Sequence, residues 1–484
     1  MGAGEAIMQK TSAKRLIGAA VLAVVLACFF LFAGCARTDE SDPYVTNVVN
    51  TGTEIVVTYS DGSTKSISTV QEVSASAQEL YEYYKTLYGD ELTYDEFLQK
   101  YLTVGADNTA VIGQVLLSSV KFYTEFYETG WTLTGNWPTR TDGTSVYTGS
   151  GVIYKIDEDY VYFITNYHVV YSSKANADNA TGNANGQYIA RAIYCYLYGS
   201  ENDFERAGTN GNYATYDYGD YAIECEYVGG SLTKDIALVR AKTADVTAVR
   251  SDIREVTFAD GYSVGETAIA VGNAEGEGIS VTEGIVSVAS EDISLNIDGT
   301  TRSYRSMRID SAIYGGNSGG GLFNAQGELI GITNAGDEED QNINYAVPLE
   351  IVRGVADNIY HYAADGDAST NGAYIPSFGA SYNASNSRYV YDSASASGKI
   401  VEDIEVRSVE SGSVAAALGL RAGDVITSLT LGDAEYTLGR SYNIADILLS
   451  ARAGDAISCT YARGGESAES GSYTLSQGDL ASLA

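Results

Sequence analysis

Histidine is almost missing from this chain: 484 residues contain only His168 and His361. Any chemistry that needs an imidazole base must use one of these two, and histidine is the usual general base near neutral pH. Basic charge is also scarce. Lys and Arg total 29 against 63 Asp and Glu, a formal net charge of −34. That balance argues against nucleic-acid binding through phosphates and against a polybasic grip on an anionic membrane. An acidic, solvated surface is the plainer reading. There are four prolines and five cysteines.

Tyrosine, by contrast, is plentiful at 39 residues, and tyrosine-rich alternating segments favour strands. Hydrophobic residues make up 45% of the chain, enough for real cores. The length calls for about two or three domains.

Residues 1–34 read as an address. Lys10, Lys14 and Arg15 precede the apolar run at 16–33, after which polarity switches abruptly. The stretch LFAGC resembles a bacterial lipobox, which makes Cys35 the lipidated first residue of a mature chain. An uncleaved anchor is the alternative, because the run is long enough to span a bilayer. Either reading puts the rest of the chain on the extracytoplasmic face of a cell membrane.

Residues 35–110 comprise a linker and a small α+β module. Strands are expected within 44–70, with a turn at Asp61–Gly62. Leu80, Tyr84, Leu87 and Tyr88 fall at helical spacing, and a capping box begins at Thr93. Residues 111–357 alternate short strands with glycine-rich turns, as in a barrel or sandwich. Two polar excursions interrupt them, at 172–186 and 199–220. A small-residue linker at 358–375 leads to a last domain at 376–484. Cys195 and Cys225 lie on alternating strands of the same parity. They would either pair as a disulfide or sit as two small core residues.

Three segments carry the chemistry. In YVYFITNYHVV an alternating strand delivers His168 at its end. In TKDIALVRA, Asp235 stands at the edge of an apolar strand, and a buried acid needs a partner. In IYGGNSGGGLFN, five of the seven residues from 315 to 321 are glycine, around a single Ser318. Glycine is costly to order. Such a cluster makes sense where backbone N–H groups must converge on an oxyanion, and Gly316 and Ser318 are the donors this spacing offers. His361, before the linker, reads as a surface residue.

In this order, TNYHVV, KDIALVRA and GGNSGGGLFNAQGELIGI resemble the HtrA family of trypsin-like serine proteases. GSGVIY, AVGNAEGEGISVTEGIVS and INYAVPLEIV resemble its flanking segments. The resemblance implies a mainly β fold with a chymotrypsin-like double β-barrel. It also implies a His168–Asp235–Ser318 triad with an oxyanion hole at Gly316 and Ser318, and no metal or organic cofactor. Residues 376–484 resemble a PDZ domain, with Phe378 and Gly379 central to the loop that holds a peptide carboxylate. The family reading implies unfolded exported polypeptides as substrates, peptide C-termini as PDZ ligands and a homo-oligomer, a trimer. An acidic loop at 337–340 would either favour basic substrate residues or be a solvated charge run. Two rival readings stand beside this one: a catalytically silent binding protein or chaperone, and a narrow regulatory protease.

Overall fold

The computed structural model describes residues 45–50, 54–59, 64–68, 81 and 85. From residue 108 on, it describes all but 135–136, 298–299, 337–341, 365–371, 393–396 and 484. The chain divides into two compact units, Met1–Asp107 and Asn108–Ala484. The expected signal segment, Cys35, the capping box at Thr93 and the acidic loop at 337–340 lie outside the described residues.

In the first unit, β1 (Val45–Asn50), β2 (Glu54–Tyr59) and β3 (Thr64–Ser68) form an antiparallel meander across the expected strand region. Tyr81 and Lys85 are helical, as the spacing of 74–104 suggests.

The second unit opens with helix α1 (Thr109–Val115). Its first barrel draws on β4 (Ser119–Thr134), β5 (Trp137–Ile156) and β6 (Tyr160–Thr165). The helical turns α2 (Tyr167–Val170) and α3 (Ala177–Ala180) follow. Then come β7 (Ala192–Leu197), the hairpin of β8 (Glu205–Asn210) and β9 (Tyr213–Asp217), β10 (Ile223–Ser231) and β11 (Ile236–Lys242). The barrel closes in the order β10-β11-β6-β5-β4-β7.

Helix α4 (Thr243–Val249) leads to the second barrel. That barrel contains β12 (Thr257–Phe258), β13 (Thr267–Gly272), β14 (Ser280–Ile297), β15 (Thr300–Ile309), β16 (Gly321–Phe323), β17 (Glu328–Gly336) and β18 (Asn344–Pro348). The path β17-β16-β13-β14-β15-β18 closes on itself because β17 also pairs with β18. The protein is mainly β, with the two barrels the family resemblance implied.

The barrel strands read as nearly unbroken apolar runs because both of their faces are covered. Along β6, Val161 and Phe163 point into the first barrel's core. Tyr162 and Ile164 join a second core with helix α5 (Leu349–Ala363). Along β11, Ala237 and Val239 face the first core, and Ile236 and Leu238 the second. This is the period-2 alternation of a strand applied to two apolar layers. Each fully buried Val, Leu or Ile contributes about 1.5–3 kcal/mol.

The C-terminal region begins at β19 (Tyr374–Pro376) and β20 (Ala380–Asp392), followed by β21 (Ser397–Val409), helix α6 (Val414–Ala417), β22 (Val425–Leu431) and β23 (Ala434–Thr437). Helix α7 (Asn443–Leu448), β24 (Ala456–Arg463), β25 (Glu466–Glu469), β26 (Tyr473–Thr474) and β27 (Leu480–Ser482) complete it. Its sheet runs β20-β21-β22-β24-β25 over a separate core, and β27 returns to pair with β19.

Several local expectations change. The linker expected from residue 358 begins later, because α5 continues to Ala363. Asn358 is fully buried there and bonds to Tyr374 and to the Leu449 carbonyl. The polar excursion at 172–186 is not plain loop. Asn179 is buried, accepts from Tyr127 N–H and donates to the Gln187 and Ile189 carbonyls. The excursion at 199–220 forms the β8–β9 hairpin, held by stacking of Tyr218 on Tyr194 and by Phe204 on Tyr123. Cys195 and Cys225 are free thiols buried in the first core, with no disulfide.

Candidate active site

His168 does not end the strand as expected. It lies three residues past β6, in the single helical turn α2, and Val169 and Val170 of that turn anchor it to the first core. Asp235 occupies the β10–β11 turn and is fully buried. Its backbone is left-handed (φ 53°), a costly state for a non-glycine residue that surrounding structure must hold. Asn166 donates to its carbonyl at 2.8 Å. Tyr304 of β15 holds the same turn by donating to the Leu232 carbonyl. Burial, and after it the Asp235 charge, push the Tyr304 hydroxyl up to about 12.

The Asp235 carboxylate meets His168 twice. It accepts the backbone N–H at 3.1 Å, and its oxygens lie 3.0 and 2.9 Å from Nδ1. A carboxylate on Nδ1 puts the proton there and turns Nε2 outward as a base. His361 sits exposed on α5, as expected.

Ser318 lies in the turn before β16, and its hydroxyl shares a cleft of about 410 Å³ with His168, Gly316 and Asn334. The hydroxyl donates to the Asn334 carbonyl at 3.4 Å rather than to His168. The backbone around it alternates. Asn317 N–H donates to Tyr314, Gly319 N–H to Thr333 and Gly320 N–H to Asn317. Among the described residues, the N–H groups of Gly316 and Ser318 have no acceptor. Two free donors flanking one hydroxyl form an anion-binding concavity.

Glycine is required for this path. Gly316 has φ +95°, and a Cβ on it would stand 2.2 Å from the Asn273 carbonyl. Gly319 has φ +89°, and a Cβ there would stand 2.1 Å from the Ser150 carbonyl.

One positioning residue escaped the sequence reading. Ser150 of β5 ties the two barrels at the cleft. Its N–H donates to the Ser318 carbonyl at 2.8 Å and its Oγ to the Gly316 carbonyl at 2.7 Å. The same Oγ accepts from Asn273 N–H at 2.7 Å. The serine inside GSGVIY was visible, but a hydroxyl between two barrels leaves no periodic signal.

The other candidates are distant in sequence. Phe378 buries its ring in the C-terminal core, and its carbonyl accepts from Ala415 N–H. Gly379 has φ +68°. Neither residue's N–H has an acceptor among the described residues. They precede β20, the edge strand of its sheet.

Fold and cleft define a trypsin-like serine peptidase, and the sequence model of the trypsin-like peptidase domain family matches residues 149–332. The serine protease Do-like HtrA of Lactococcus lactis subsp. lactis (strain IL1403) is 30% identical over 341 residues, 68% of this chain and 70% of that protein. The serine protease HtrA-like of Staphylococcus aureus (strain USA300) is 26% identical over 293 residues, 58% of this chain and 32% of its own length. A solved HtrA-type protease, AlgW with a decapeptide, aligns with 76% of this chain and 98% of its own at 21% identity and a TM-score of 0.45. The chain belongs to the HtrA family of serine proteases. It is a serine endopeptidase.

Proposed function

We propose that Ser318 is the nucleophile, His168 its base and Asp235 the group that orients that base. The observation that carries this is the pairing of the Asp235–His168 contact with the two free N–H groups around Ser318. Ser318 Oγ attacks the scissile carbonyl while His168 takes its proton. The carbonyl oxygen becomes an oxyanion held by the Gly316 and Ser318 N–H groups. As the tetrahedral intermediate collapses, the C–N bond breaks and His168 returns the proton to the leaving amine. Water then attacks the acyl-enzyme by the same route. Asp235 stays ionised and stabilises the imidazolium.

The substrates we infer are unfolded or misfolded exported polypeptides, met outside the cytoplasm by a protein tethered through a lipid on Cys35. The sequence of residues 10–35 supports the export reading. We read residues 376–484 as a PDZ domain that takes peptide C-termini. Free N–H groups at Phe378 and Gly379, beside an edge strand, suit a carboxylate and an added strand. A homo-oligomer, a trimer, is part of the same reading.

The test compares the chain with its Ser318→Ala form on casein, with and without a C-terminal peptide. Loss of cleavage in the variant is expected. Cleavage that survives it overturns the assignment. A rate unmoved by every C-terminal peptide in a random panel removes the regulatory role.

A further inference from the structure

Asp235 ends the short turn 232–235 between β10 and β11, and its left-handed backbone must be held from outside. Two of the holds come from the barrels. Asn166 donates to the Asp235 carbonyl at 2.8 Å, and Tyr304 donates to the Leu232 carbonyl at 3.0 Å. A third comes from 252 residues away. Ser231, fully buried where the turn begins, donates its hydroxyl to the Leu483 carbonyl at 2.6 Å. Thr233 Oγ1 lies 3.3 Å from the same carbonyl and 3.0 Å from Ser231 Oγ, and its single hydrogen serves one of them.

Leu483 is itself fixed. Its N–H donates to the Ala373 carbonyl at 2.7 Å. The residues before it form β27, paired with β19 in the register Tyr374–Ser482, Ile375–Ala481 and Pro376–Leu480. Its side chain is buried in the same apolar cluster as Ile236, the residue after Asp235. On the neighbouring strand, a Cβ on Gly229 of β10 would stand 3.2 Å from the Gly372 backbone. Hydroxyls, core and backbone thus tie residues 372–376 and 480–483 to the strand pair that carries Asp235.

The dependence follows from burial. A buried hydroxyl left without an acceptor is costly, so Ser231 is settled only while the Leu483 carbonyl stays in place. Ser231 also pairs with Ile236 across the turn. A shift there is passed to Asp235, whose oxygens must keep their 3.0 and 2.9 Å approach to His168 Nδ1.

We propose that Ser231 and Thr233 are positioning residues for catalysis, and that β27 clamps the Asp235 turn through the Leu483 carbonyl. The two barrels hold the triad, and residues 480–483 keep its acid in register. The inference rests on the triad assignment above.

The experiment uses the full-length chain in detergent and a quenched peptide. A fluorophosphonate, reacted to completion, counts competent Ser318 sites, and each rate is expressed per labelled site. Ser231→Ala is expected to lower kcat about 10-fold while KM stays within about twofold. It should also move the acid limb of the kcat/KM profile to lower pH, because a carboxylate held less well on Nδ1 favours the imidazolium less. Leu483→Pro removes the N–H that bonds Ala373, displaces the carbonyl and is expected to act in the same way. The double variant should lose no more than the worse single, since both break one contact. Thr233 is exposed, and Thr233→Val is expected to give a smaller loss that Thr233→Ser restores. A merely structural role would reduce the number of labelled sites and leave kcat per site and the acid limb unmoved.

Native kcat per site in Ser231→Ala overturns the proposal. Where that variant yields no labelled sites, native kcat in Thr233→Val does so. Losses that add in the double variant overturn it as well. Asp235→Asn tests the triad separately: an undiminished kcat there overturns the triad assignment, and the clamp falls with it.

Discussion

His168 is oriented by a residue that pays for its place in backbone strain. Asp235 is held left-handed and fully buried by Asn166 and by the His168 N–H. Asp235→Asn is expected to keep the fold but present the wrong tautomer of His168, lowering kcat about 10⁴-fold. Steady-state cleavage of a quenched peptide checks it. Ser150 acts one step further out. Ser150→Ala removes a hydroxyl that bonds both the Gly316 carbonyl and Asn273 N–H. Misplacing the loop should lower kcat about 10- to 100-fold while KM stays within about twofold. A rise in KM with kcat unmoved would show instead that Ser150 shapes substrate binding.

Among the elements, α5 and α7 decide how the C-terminal region meets the barrels. Gly354 of α5 lets Leu449 approach so closely that a Cβ there would lie 2.6 Å from the Leu449 Cβ. Beside it, Arg305 of β15 reaches Asp446 of α7 at 2.7 Å, both nearly buried. Removing one partner strands the other charge, whereas replacing both by apolar residues does not. Asp446→Ala is expected to cost about 3–5 kcal/mol. The double variant Arg305→Met with Asp446→Leu should recover most of it. Thermal or urea unfolding of the four forms closes the cycle. Strict additivity would mean that the pair does not couple the two regions.

For the molecule as a whole, part of the sensitivity to acid is set in the C-terminal sheet. Asp424 is buried, and its carboxylate takes two bonds from Arg463, at 2.7 and 2.8 Å, and one from Arg421 N–H at 2.7 Å. The Arg463 bonds, opposed by burial and joined by the Arg421 N–H, hold its carboxyl below the usual range. The folded state then binds that proton less readily than the unfolded chain does. Its stabilisation is present above about pH 3.9 and is lost as pH falls through the lower folded value. Asp424→Asn should flatten this part of the acid-unfolding curve and cost about 2 kcal/mol at neutral pH. Circular dichroism against pH measures both. An unchanged curve would assign acid sensitivity to the other carboxylates of a chain with net charge −34.

The sequence alone determined what depends on local order. Strand alternation marked a barrel or a sandwich. The near-absence of histidine narrowed any imidazole base to His168 or His361, and the glycine cluster marked the turn around Ser318. Each is a run of neighbours whose spacing records which face is buried or which φ is needed. Tertiary structure decided what neighbours cannot encode. Cys195 and Cys225 share parity yet remain separate thiols. The polar excursions are ordered by Asn179 and by stacked tyrosines. The small-residue segment after 357 begins as helix because Asn358 finds three backbone partners. Ser150 meets the turn around Ser318 only once distant strands close. Its hydroxyl acquires that role from groups 123 and 166 residues away, through burial and hydrogen bonds that have no period along the chain.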